Sequence, residues 1–150
     1  MAISQAMCTS FKVEILNGIH AFGTTVVRAS TTADTFKIAL YTSSATLDST
    51  TTAYSTSNEV PSTGGYSAGG NTLTVSQVPT STSTTAWLDF ADSTWSAATI
   101  TANGALIYNS SQSDKAVAVL AFGGDKTSTA GDFTIVFPAA NSTSAIIRIA

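Results

Sequence analysis

The sequence predicts a mainly β protein: an antiparallel, jelly-roll-like β-sandwich of about eight strands with one short N-terminal helix. Three observations carry that expectation. From Thr35 onward apolar residues recur at every second position in short runs, the period of a half-buried strand. Clusters of Gly, Asn, Asp and Ser separate those runs, as turns between strands require. Finally, 21 Ser and 26 Thr stand among 150 residues, and β-branched Thr suits a pleated, half-buried surface.

The elements follow in chain order. Ser10 to Gly18 reads as a helix, because Phe11, Ile15 and Ile19 recur every fourth residue with Leu16 beside them. Ser10 is the expected N-cap, and Asn17-Gly18 the stop. Thr35 to Thr42 alternates Phe36, Ile38 and Leu40 against Lys37, Ala39 and Tyr41. The tract from Thr42 to Asn58 reads as a long surface loop pinned by Leu47 and Tyr54. Thr72 to Gln77 sets Leu73 and Val75 on one face. Thr84 to Ala91 turns Ala86, Leu88 and Phe90 inward, with Trp87 and Asp89 opposite. Ala97 to Asn109 carries Asn103-Gly104, which fits either a hairpin turn or one strand bent at a bulge. The bent strand is favoured because Ala97–Thr101 is short for a separate arm. Lys115 to Phe122 and Asp132 to Phe137 are two further strands, joined by Gly123–Gly131 as a long hairpin link. Ser144 to Ala150 closes the chain with Ala145, Ile147 and Ile149 on one face.

Residues 1–150 form a single domain with a short arm and helix at about 1–20. Charged residues are 10% of the chain and the net charge is −3, so no basic stripe exists for nucleic acid. The first eight residues predict no secretory signal, and no run approaches the apolar length of a membrane span. Cys8 is the one cysteine, so no internal disulfide is expected.

Chemistry is sparsely supplied. Gly65-Tyr66-Ser67-Ala68-Gly69 matches G-x-S-x-G, but a nucleophile elbow needs a strand before it, a helix after it and a general base. The one histidine, His20, precedes Ser67 and reads as a helix-end residue. One His and one Cys give no zinc set. Asp89 and Asp92 are not expected to be a glycosidase pair, because Asp92-Ser93-Thr94 reads more simply as an Asx-type turn leaving a strand. Asp114, Asp125 and Asp132 read as solvated loop acids. No catalytic residue, cofactor or metal is therefore expected. Trp87, Trp95, Tyr54, Tyr66 and Tyr108 are the candidates for a sugar-stacking platform, with Trp87 the best placed for a surface and Trp95 read as a core plug.

A set of longer stretches carries a family likeness. These are Asp34–Thr42, Gly64–Gly70, Leu88–Asp92 with Trp95, Thr99–Asn109, Phe122–Asp125, Gly131–Ile135 and Ala145–Ile149. Their order resembles a family of small structural proteins encoded among the virion genes of tailed bacteriophages, over about Phe11 to Ala150. The pattern departs at Gly23–Thr32, where Thr24-Thr25-Val26-Val27-Arg28 reads as an insertion. The resemblance implies a non-enzymatic decoration or cement protein on the capsid surface. Its implied partners are the major capsid protein and copies of itself, as a homotrimer. Neither nucleic acid nor membrane is a partner on this reading. Met7, Phe11, Ile15 and Trp87 are the candidate contacts. A tail, collar or fibre component and a carbohydrate-binding adhesin module are the alternatives.

Overall fold

The computed structural model describes residues 2–16, 18–23 and 33–150. Past Gly23, the segment read as an insertion lies outside the described residues. Among the described residues there are eight strands and one short helix, and the strands form two antiparallel sheets of five and three. The expected mainly β, sandwich-type architecture is what the chain adopts.

Strand β1 (Ala6–Met7) leads into helix α1 (Thr9–Leu16). Gly18 has φ +67°, and the amides of Gly18 and Ile19 bond back to the carbonyls of Ile15 and Glu14, which stops the helix. Ser10 does not cap it. The helix already includes Thr9, and the buried Ser10 hydroxyl has no hydrogen-bond partner.

The larger sheet is centred on β6 (Ser93–Asn109), flanked by β2 (Phe36–Tyr41) and β7 (Lys115–Ile135). Strand β2 pairs with the second half of β6, from Phe36 opposite Asn109 to Tyr41 opposite Gly104. Asn103-Gly104 is no hairpin. The strand runs through it, and Gly104 is needed because a Cβ there would press on the Leu120 carbonyl and Ile3.

The expected link at Gly123–Gly131 is corrected outright. Strand β7 stays paired with β6 from Lys115 to Ile135. Its glycines are absorbed as irregularities, with register shifts opposite Ala102–Gly104 and Ala98–Ile100. Gly123, Gly124 and Ala130 take positive φ there. Thr94 pairs with Thr134 and Thr101 with Thr127 across the exposed face, hydroxyl to hydroxyl at 2.9 and 3.1 Å. The outer side of β7 is covered at Lys115 by Ala53, at Ala116 by Thr52, at Val117 by Cys8, and at Ala118 and Val119 by β1. Beyond Val119 that edge has no backbone partner among the described residues.

The expected strand at Thr72–Gln77 divides in two. β3 (Asn71–Thr72) pairs with β2, and β4 (Val75–Thr82) belongs to the smaller sheet. The chain changes sheets at Leu73-Thr74, where the Leu73 amide still bonds the Phe36 carbonyl while the Thr74 carbonyl takes the Ala91 amide. The smaller sheet orders β4, β5 (Thr85–Phe90) and β8 (Ile147–Ile149). On β5, Leu88 and Phe90 are buried as expected, but Ala86 is exposed and Asp89 is buried.

Aromatic rings join the two sheets. Phe22 stacks on Phe36 with centroids 4.1 Å apart; Phe36 meets Phe90 at 6.1 Å, and Phe90 meets Phe137 at 5.9 Å. Trp95 is buried against Phe133 and Tyr66, the core role its sequence context implied.

Candidate functional site

Glycines and hydroxyls position most of the chemistry-bearing groups for structural work. Gly64, Gly65, Gly69 and Gly70 all have positive φ, so the G-x-S-x-G stretch is a glycine-rich turn that leads into a strand, not a helix. Ser67 is exposed on it, while Tyr66 is buried. The Tyr66 and Tyr54 hydroxyls and the Gly69 amide all donate to Glu59, and the Tyr108 hydroxyl donates to the Gly69 carbonyl. Burial, with Asp114 and Glu59 nearby, pushes the Tyr108 phenol up to about 12. This set staples the Thr42–Asn58 loop and the following turn to β2 and β6. It also dismantles the sugar platform: Trp95, Tyr66 and Tyr108 are interior residues.

A second polar set surrounds His20. Its Nε2 lies 2.7 Å from Glu14 Oε2, and Lys115 Nζ donates to Glu14 Oε1 at 2.9 Å. Asn109 Nδ2 sits 3.0 Å from His20 Nδ1 and donates to Asp34 Oδ2 at 2.8 Å. Burial opposes ionisation of Glu14, but the hydrogen bonds and charges of Lys115 and His20 outweigh it and lower the pKa. The His20 side chain has no exposed surface and both ring nitrogens are engaged, so it presents no base to a substrate.

The remaining candidates separate. Asp92 accepts the Phe137 amide, Asp132 the Ala97 amide, and Asp125 the Asn103 side chain. Burial lifts the Asp89 pKa against the Phe90 amide that it accepts. Among the described residues no three His, Cys, Asp or Glu side chains are grouped to hold a metal, and no helix is long and apolar enough to cross a membrane. Cys8 is a free, buried thiol that burial, with Asp48 and Glu14 nearby, pushes up to about 11, which leaves it protonated and inert.

What stays available is an apolar groove of about 150 Å³ where the helix meets the smaller sheet. Ile15, Phe22, Pro79, Trp87, Leu88 and Ile149 line it, with His20 behind them. Two of the four sequence-named contacts, Ile15 and Trp87, meet on its walls. Phe11 lines it too but is fully buried, so it is floor rather than contact. Met7 lies elsewhere, in β1 opposite Ala118. The indole Nε1 of Trp87 is buried without a hydrogen-bond partner, and Ile149 is half exposed. Ile149 was visible in the alternation that sets Ala145, Ile147 and Ile149 on one face, but Ala145 and Ile147 are buried while Ile149 is half exposed. Phe22 and Pro79 carried no local signal at all.

Comparison with protein-family models, with curated proteins and with solved structures finds no match.

Proposed function

We propose that this protein is a non-enzymatic structural component of a tailed-bacteriophage virion, a capsid decoration protein that acts by binding. Its partners on this reading are the major capsid protein and neighbouring copies of itself. The likeness to virion proteins suggests the class, and one observation supports it: the apolar wall formed by Ile15, Trp87 and the half-exposed Ile149. A capsid subunit that covers this wall buries apolar surface. Binding only the assembled shell stabilises that shell by linkage. The sparse charge of the chain fits close packing of many copies, where strong like charge repels.

Location and copy number in purified particles test the proposal. Many copies spread over the head support it. A few copies at the tail end replace it with a tail or collar component. Stripped heads re-bound with Trp87→Ala or Ile149→Asp protein provide the second arm: lost occupancy supports this wall, and full occupancy by both variants removes it.

A further inference from the structure

The amide of Asn109 fixes the protonation state of His20. The Ser111 N–H donates to Asn109 Oδ1 at 3.1 Å, which sets the orientation of the amide. Its NH₂ group therefore faces His20 Nδ1 at 3.0 Å and Asp34 Oδ2 at 2.8 Å. Nδ1 must accept, so the ring proton sits on Nε2 and is donated to Glu14 at 2.7 Å. A second proton has no place: on Nδ1 it would point at the NH₂ group of Asn109. Turning that amide over would forfeit the bonds to Ser111 and Asp34 together.

Three parts of the chain depend on this arrangement. Glu14 belongs to α1. His20 and Ala21 follow it, with the Ala21 amide on Asp34 Oδ2 at 2.9 Å. Asn109 and Lys115 close the near end of the β6–β7 pair, opposite each other in register. The titratable and charged groups facing His20 from these elements are Glu14, Asp34 and, through Glu14, Lys115. Its other neighbours are the rings of Phe11, Phe22 and Phe36.

We propose that His20 is an acid-operated latch: its protonation breaks the Asn109 bond and releases α1 and the His20–Phe22 stretch from the end of the β6–β7 pair, opening the apolar groove they wall. Desolvation is the dominant influence on the imidazole and exceeds the attraction of Glu14 and Asp34, so protonation is deferred below the ordinary histidine range and, when it comes, costs structure. The latch does not rest on the capsid reading.

The chain has one histidine, so imidazole ¹⁵N NMR on the 150-residue chain reads His20 without assignment. The expected result is the neutral Nε2–H tautomer at pH 7. On acidification, protonation of the ring should coincide with at least about a tenfold loss of amide-exchange protection over Thr9–Leu16, while Ala105–Tyr108 and Val117–Val119 stay protected. In His20→Gln, which keeps an amide N–H for Glu14 and cannot titrate, the α1 step that coincides with ring protonation should vanish, leaving only the loss that follows Glu14 below the ordinary carboxylate range. An Nδ1–H tautomer overturns the latch even if that variant fails to fold. So does ring titration with α1 protection unchanged, loss of all strands together, or an α1 step above the carboxylate range that persists in His20→Gln.

Discussion

Tyr66 donates its hydroxyl to Glu59 at 2.6 Å, and the same oxygen accepts the Leu40 amide at 3.0 Å. The pair ties the glycine-rich turn to the centre of β2. Glu59 also takes the Tyr54 hydroxyl and the Gly69 amide, each at 2.7 Å. Removing the carboxylate leaves three donors stranded, so Glu59→Ala should cost about 3 kcal/mol or more, and Tyr66→Phe about 1–2 kcal/mol. Urea unfolding measures both. Equal, small losses would mean that Glu59 does not organise the set.

The turn's last glycine is a second sensitive point. Gly70 has φ +65°, and a Cβ there would collide with the Ile38 carbonyl in the middle of β2. Gly123 has φ +72° but open space around it. Gly70→Ala should lose more than about 3 kcal/mol, and Gly123→Ala only the left-handed strain of about 1–2 kcal/mol. Thermal melts of the two variants rank them directly.

Between the sheets, Phe36 touches Phe22, Phe90 and the His20 ring. Truncation to Ala should cost about 3–5 kcal/mol through lost burial and the cavity left behind. Val136, 72% exposed, should tolerate Ser within about 0.5 kcal/mol. Chemical denaturation of both variants checks the contrast.

Two carboxylates should tilt the acid limb of stability in opposite directions. The Glu14 pKa is lowered in the fold, so its contribution is full above the ordinary Glu pKa and is lost as pH falls through the folded value. Asp89 is raised by burial, which outweighs the Phe90 and Ile146 amides on its carboxylate, and its protonation favours the fold as pH falls. Asp89→Asn should therefore be more stable than the parent at pH 7, and the difference should shrink toward acid. Glu14→Gln should flatten the fall below the ordinary carboxylate range. Denaturation midpoints from pH 3 to 8 test both signs.

Trp87 gives a sharper check on the groove. Its buried indole N–H has no acceptor, so Trp87→Phe removes an unsatisfied donor and should leave stability within about 1 kcal/mol of the parent, in either direction. A larger loss would place a hydrogen bond at that nitrogen in the isolated protein.

The sequence was most legible where one local period decided the outcome. Phe36–Tyr41 reads as a strand from alternation alone, and Phe11 and Ile15 share a helix face from their spacing. Gly123-Gly124-Asp125 misled because a turn and a bulge ask for the same positive-φ residues; only the unbroken partner β6 distinguishes them. Ile15 and Trp87 were each visible, but their meeting at one groove depends on how α1, docked on the end of β7, is set beside the smaller sheet. The His20 set was illegible. Glu14 is six residues away and Asn109 eighty-nine, so no local pattern joins them.

The outer edge of β7, unpaired past Val119 among the described residues, has a consequence for life at high local concentration. Past Val119 it offers amides and carbonyls to any passing strand, yet Gly123-Gly124 and Ala130 break its rhythm twice within eight residues. A strand laid along it would fall out of step at each break, so one molecule's sheet does not extend readily into the next.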